Sequence, residues 1–339
     1  MKKFRSGAAL LALAVGIAGA GSALADPVKL KFAHTLPGTH YLWEQGFQKF
    51  TEAVTAATDG QVEFEVYPAG QLGKDNLAVL NSGLADISMM IPMYAPDKFP
   101  LSGINELPGM FTSSCDVTAK YKRMSSPGNV LATEEYDPLG LHVIFVNGFP
   151  SYILNTAKKQ VKTLADAEGL KIWVGGAGMD KAVRAMGGVP IRLTAYELYD
   201  AMTRGTVDGA LFPASSIPQY KLETELKYSL EQLYLGTGVF FLAMTNEKWA
   251  ALPDNVKDAI NAARDAVEPE LCAWLDADDT AKRDRLVAEN GLSVVQLSPE
   301  QDAEWKARIE KVAQDWAAEL DGQGRAGSAT LEAMRAAGN

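Results

Sequence analysis

With only two cysteines and three histidines in 339 residues, the chain has little capacity for thiol or metal chemistry. His34 and His40 share the loop HTLPGTH, which lacks the further ligands that a closed metal site needs. His142 precedes a strand and reads as structural. No GxSxG elbow, HExxH, P-loop or CxxC is present, and GGAG at 175–178 lacks the third glycine of a dinucleotide fingerprint. Carboxylate pairs such as Glu134-Glu135 read as solvated surface. Nothing nominates a catalytic nucleophile or base, and no cofactor or metal is expected. Basic clusters are also missing. The formal charge is −10, and an acidic surface without Lys/Arg runs argues against nucleic acid or anionic lipid as a partner.

Long apolar runs are absent after the first 25 residues. Ala8 to Ala20 is too short to span a bilayer comfortably. It follows Lys2, Lys3 and Arg5 and precedes Ala23-Leu24-Ala25, the pattern of a secretory signal cleaved after residue 25. The expectation is an exported, periplasmic protein. That compartment permits a disulfide between Cys115 and Cys272, but sequence separation does not give the distance between them, so the pairing stays open.

What is there is periodicity. VKLKFAHTL and QVEFEVYP alternate as half-buried strands, separated by a helical LWEQGFQKFTEAVTAAT stretch. NLAVLNSGLADISMMI reads as helix, Gly83 and strand, giving an α/β layer with parallel strands. The pattern restarts after Gly140: LHVIFVNG, SYILNT and LKIWV are strands, DKAVRAMGG is a helix, and ELYDAMTRGTVDGALF is helix, stop and strand. From Pro253 to Gly291, apolar residues step by three or four through Val256, Ile260, Ala263, Val267, Leu271 and Leu275. Pro269 inside this stretch predicts a kink, and its length predicts a helix lying across two lobes. The tail after Leu320 is small and polar and is expected to be mobile.

Several blocks taken together resemble the substrate-binding component of tripartite ATP-independent periplasmic (TRAP) transporters, the DctP-type proteins. They are VEFEVYPAGQLGKDNLAVLNSGLADISMM, ELPGMF, LADAEGLKI, AMGGVPIRLTAYELYDAMTRGTVDGALFP and TNEKWAALP, spread over residues 28 to 255. The resemblance implies a two-lobed α/β binding protein with a hinge, with the long kinked helix crossing both lobes. Residues 26–149 and 239–278 would form lobe I, and 150–238 and 279–339 lobe II. It also implies a small solute held in the cleft and delivery to TRAP membrane permease subunits.

In open α/β sheets ligands sit outside the carboxyl ends of the strands, where LKIWV and TVDGALF end on Trp173 and Phe212. Relatives that bind organic acids resemble GLKIR and VDGQENP there; this chain replaces the arginine with Trp173 and the asparagine with Phe212. An arginine fork grips a carboxylate through two charge-assisted bonds, and its loss costs on the order of 3–5 kcal/mol. The expected pocket is therefore aromatic, drawn from Trp173, Phe212, Tyr152, Trp43, Tyr94 and Phe240. Of Phe240 and Phe241, which alternate on one strand, at least one belongs to the core. Such a wall leans towards an amine or other non-carboxylate solute, with Glu106 or Glu44 as counter-charge. The alternatives are an organic acid held by a relocated cation such as Arg192 (otherwise a solvated edge residue), a secreted enzyme, or a sensory binding module of the same fold.

Overall fold

The computed structural model describes residues 27–193 and 195–337. The expected leader, residues 1–25, lies outside them. Lys29 and Lys31 point outward while Leu30 and Phe32 point inward, making β1 (Val28–Ala33) a half-covered strand. A π-helical turn at Trp43–Phe47 leads into α1 (Gln48–Ala57), followed by β2 (Val62–Tyr67). The Asp75 carboxylate accepts the Ala78 N–H and starts α2 (Asn76–Asn81), which leads to β3 (Ile87–Met90). Next come α3 (Ser114–Ser125) and β4 (Leu141–Gly148).

The chain then crosses to a second sheet. It is built from β5 (Ile153–Thr156), α4 (Leu164–Ala167), β6 (Lys171–Trp173), α5 (Ala177–Ala185), β7 (Val189–Ile191), α6 (Leu198–Thr203), β8 (Gly209–Phe212) and β9 (Tyr228–Leu230). β10 (Val239–Thr245) returns to the first sheet and is followed by α7 (Asn246–Ala251) and α8 (Asp254–Asn290). The chain ends with β11 (Ser293–Val294), α9 (Pro299–Gly322) and α10 (Gly327–Ala336). The sheet orders are β2-β1-β3-β10-β4 and β11-β9-β5-β8-β6-β7.

The parallel layer holds for β1 with β2 and β3, but β10 runs antiparallel to β3 and β4, and β5 antiparallel to β8 and β9. Direction follows from connectivity: β4 and β9 run towards the crossing, whereas β5 and β10 run away from it. The two crossing segments also bond to each other, Phe149 N–H to Gly238 O at 2.9 Å and Tyr152 N–H to Gly236 O at 2.8 Å. Asn105 braces them, donating from Nδ2 to Thr237 O at 2.6 Å and accepting the Thr237 N–H at 2.8 Å.

α8 is an unbroken helix of 37 residues through Pro269. Val256 to Leu275 pack in the first-lobe core, and Leu286 packs in the second. Two of its carboxylates act as caps. Asp276 accepts from Ser114 N–H at 2.6 Å and Cys115 N–H at 3.1 Å, while Asp279 accepts from Ser215 N–H at 2.7 Å. One turn of α8 thus grips both lobes. Beside it Cys115 and Cys272 form a disulfide, tying α3 to α8 with Cα atoms 4.8 Å apart.

Three expectations are corrected. The tail is not loose. Leu331 and Met334, one turn apart on α10, are buried in the first-lobe core with Trp316 and Leu320 of α9, while Trp305 and Ile309 at the start of α9 lie in the second-lobe core. α9 and α10 therefore pack into the cores of both sheets. Glu135 is not solvated: it is buried and accepts the Leu101 N–H at 2.6 Å and the Ser102 N–H at 2.9 Å. Phe240 and Phe241 are both core, because β10 is an interior strand covered on its two faces by different helix layers. Phe240 meets Phe47 edge-on at 5.6 Å and presents no free face.

Candidate binding cleft

Trp173 and Phe212 end β6 and β8, neighbouring parallel strands in which Trp173 pairs with Ala210. Their ring centroids are 4.5 Å apart. The indole N–H donates to Leu193 O at 2.9 Å, which satisfies the polar edge and fixes the ring plane. Trp173 is buried within a cluster containing Leu198, Met202 and Phe212. A methyl group placed on Gly175 would touch Trp173 Cη2 at 3.8 Å and Met93 Cε at 3.7 Å, so both side chains crowd the turn after β6.

Phe212 carries the row further. Tyr152 lies near-parallel to it at 6.1 Å and 27°, and Tyr220 meets it edge-on at 5.3 Å. Tyr196 meets Tyr220 at 5.5 Å. From the first lobe comes Tyr41, packed on Trp274 of α8 at 5.5 Å. Burial raises the Tyr41 phenol well above its ordinary value, and Tyr220, Asp278 and Asp279 push it further. Burial likewise raises the Tyr152 phenol, with Tyr94, Tyr220 and Tyr41 adding to the effect; the Tyr220 phenol is pushed up to about 12, first by burial and then by Tyr196 and Tyr94. Phenols from both lobes share one neighbourhood.

The expected residues fall unevenly around this row. Trp173, Phe212 and Tyr152 come together. Tyr94 is 74% exposed; burial of its ring edge and then Tyr196 raise its phenol, and Tyr94 in turn adds to the rise at Tyr152. Trp43 is half-buried and stacks on His34 at 5.4 Å and 19°, away from the Phe212 row. His34 itself is buried, burial lowers its pKa to about 4, and neither ring nitrogen has a hydrogen-bond partner among the described residues. Glu44 is exposed. Tyr41, at the start of the helical stretch before Trp43, and Tyr220, at the end of a single 3-10 turn (Pro218–Tyr220), lie outside any periodic signal; only their aromaticity beside loop glycines and prolines could have flagged them.

Glu106 does not serve as a free counter-charge. It is buried, and Oε2 accepts the Gly178 N–H at 2.7 Å in the first turn of α5. Burial raises its pKa to about 7, opposed by the Gly178 amide and by Arg192. A Cβ at Gly178 would come within 2.6 Å of Glu106 Cβ, and one at Gly176 or Gly236 would collide with Glu106 as well. Gly236 also has φ +105°, so glycine is required there twice over. Arg192 is 53% exposed and lies 3.6 Å from Asp180 on α5.

A cavity of about 710 Å³ lies on the first-lobe side, bounded in part by Thr35, Gly70, Asn76, Ile91 and Tyr94. It falls within the size range of small-molecule sites. Its walls do not include Trp173, Phe212 or Tyr152; Tyr94 is the link between this space and the ring row.

Two sheets joined by two crossing segments and a shared long helix, with rings gathered at strand ends, match one known family over residues 32–320: the bacterial extracellular solute-binding proteins, family 7, DctP. The chain belongs to that family. It is 27% identical over 98% of its length to the C4-dicarboxylate-binding periplasmic protein DctP of Rhodobacter capsulatus, covering 97% of that relative. Among solved structures, a TRAP solute-binding protein of Rhodoferax ferrireducens T118, in complex with copurified benzoate, aligns at TM-score 0.77 and 25% identity over 92% of this chain and 97% of that one. A marine-metagenome TRAP protein specific for aromatic acid ligands, in complex with metahydroxyphenylacetate, shares the fold at TM-score 0.78 and 22% identity over 92% and 98% of the chains. As a DctP-family protein, the chain is a TRAP solute-binding protein. No helix among the described residues is long and apolar enough to cross a membrane.

Proposed function

We propose that this protein captures a small organic acid with an aromatic body in the periplasm and hands it to TRAP permease subunits, without catalysing a reaction on it. The observation that carries the reading is the ring row at the ends of β6 and β8, with Trp173 and Phe212 4.5 Å apart and Tyr152 and Tyr220 flanking Phe212. A flat cargo laid along it gains about 25 cal/mol for each Å² of apolar surface removed from water, with the half-buried Tyr152 and Tyr220 offering more of that surface than the buried Trp173 and Phe212. The two solved relatives described above hold aromatic acids.

The amine reading is withdrawn. Those relatives bind carboxylates, and Glu106, the acid that would neutralise an ammonium group, is spent on α5. The Rhodobacter capsulatus relative is named for C4-dicarboxylates. Such a cargo has no ring for this row to stack. Lobe closure follows as a population shift, since the cargo favours the form in which both lobes touch it.

Mass spectrometry of the small molecules released on denaturing freshly purified protein tests the reading. An aromatic monocarboxylate is expected. Recovery of a C4-dicarboxylate or an aliphatic amine as the stoichiometric species would refute it.

A further inference from the structure

An anion entering this cleft meets few conventional grips. The amino end of α5, a ready-made anion site one turn from Trp173, is already filled by the Glu106 carboxylate on Gly178 N–H. Arg192, just past the outer strand β7, lies 3.6 Å from Asp180 and also acts on Glu106. What stays unused is a set of phenol hydroxyls. Among the described residues, the hydroxyls of Tyr41, Tyr152 and Tyr220 make no hydrogen bond to protein, although Tyr152 and Tyr220 flank Phe212 and Tyr41 is half-buried against Trp274. The fully buried phenols of the first lobe are partnered, Tyr121 with Tyr136 at 2.9 Å and Tyr136 with Ser102 at 2.7 Å. A hydroxyl left without a partner in a part-buried wall is costly unless water or a ligand completes it.

We infer that the carboxylate of the cargo is held by the O–H groups of Tyr41, Tyr152 and Tyr220, donated from both lobes, in place of an arginine fork. The inference rests on the aromatic-acid reading and names the grip within that site. Phenols suit the task chemically. Each is a neutral donor at the pH of any periplasm, since burial and mutual proximity oppose ionisation. An O–H donated to a carboxylate is a short, charge-assisted bond. Rings that stack the body of the cargo carry the donors for its head, so selectivity for flat acids and the grip on their charge come from the same side chains. Tyr41 comes from lobe I, and Tyr152 and Tyr220 from lobe II, so a carboxylate bridging them is bound fully only when the lobes approach. That supplies the differential affinity closure requires.

Calorimetric titration of 3-hydroxybenzoate into the wild type, Tyr41→Phe, Tyr152→Phe, Tyr220→Phe and Arg192→Gln, at 50 and 500 mM NaCl, tests the grip. Each Tyr→Phe change removes one oxygen that has no protein partner, so the melting temperature of the ligand-free variants should stay at the wild-type value. Affinity should fall about tenfold or more per hydroxyl, as expected for bonds to a charged group. Arg192→Gln should bind within about threefold of wild type, and added salt should not weaken binding, because a neutral grip has no ion pair to screen. Full affinity in all three Tyr→Phe variants with loss in Arg192→Gln, or an affinity falling steeply with salt, would overturn the phenol grip while leaving the aromatic-acid reading intact. No binding of 3-hydroxybenzoate, benzoate or mandelate by the wild type would overturn the aromatic-acid reading itself, and the grip with it.

Discussion

Glu106 of the first lobe places its carboxylate 2.7 Å from the Gly178 amide of the second, under glycines that leave no room for a β-carbon. The contact joins the lobes behind the cleft, next to the crossing segments that Asn105 braces. Burial holds the acid at about 7, against 4.5 for an ordinary glutamate. A carboxyl whose pKa is raised on folding adds stability that is complete below 4.5 and is lost as pH rises through 7. Glu106→Gln should therefore gain stability relative to wild type between pH 4.5 and 7.5, by on the order of 3 kcal/mol if the whole shift is expressed. Comparing the two proteins pH by pH in urea removes the opposing trend from His34 and His142, whose depressed values of about 4 make stability fall as pH drops below 6.5. A difference that stays constant with pH would show that Glu106 is already ionised when buried.

Replacing Gly178 with alanine should be far more damaging than an ordinary helix Gly→Ala change, which stabilises by up to about 1 kcal/mol where space allows. The added methyl meets Glu106 Cβ at 2.6 Å, so the lobes must separate or α5 must shift. Thermal melts should show a loss of several degrees in Gly178→Ala that adding Glu106→Gly, which removes the clashing β-carbon, partly restores and adding Glu106→Ala, which keeps it, does not.

The Cys115–Cys272 disulfide closes a separation of 157 residues and sits beside Asp276, which caps α3. Chain-entropy arguments put such a closure at about 5 kcal/mol, with measured values more often 2–4. Reduction, or paired Cys→Ser replacement, should lower the denaturant midpoint by a corresponding amount without changing cargo affinity, because the bond lies within lobe I. A change in affinity with no change in midpoint would place the bond in the closing motion instead.

Much of this architecture was legible from residue order. The three- and four-residue steps from Val256 to Leu275 are the stripe α8 buries, and Lys29/Leu30/Lys31/Phe32 alternate because β1 has one wet face. Strand direction was not legible, since β10 looks the same locally whichever way its neighbours run. Nor was the fate of Phe240, because burial on both faces of β10 depends on α1 and α8 on one side and α3, α9 and α10 on the other, which meet only in the tertiary fold. Glu135 reads as solvated surface and Glu106 as a counter-charge for cargo until the backbone amides of Leu101, Ser102 and Gly178 come to meet them. Trp173 and Phe212 were visible as rings closing two apolar runs, which the structure makes the ends of neighbouring strands. Tyr41 and Tyr220 join them only through tertiary contact.

Trp173→Phe tests the wall with the least disturbance. It keeps a ring against Phe212 and removes the bond to Leu193 O, worth about 1 kcal/mol. Affinity for an aromatic acid should fall severalfold with a small loss of stability. Trp173→Ala should destabilise the second lobe by about 3–5 kcal/mol and is the poorer probe.

The most direct test of the account is side-by-side calorimetry of the purified protein with benzoate, succinate and benzylamine under one buffer. Benzoate is expected to bind in the micromolar range, about −8 kcal/mol, with succinate at least a hundredfold weaker and benzylamine undetectable. Tight binding of succinate or benzylamine with no heat from benzoate would contradict it.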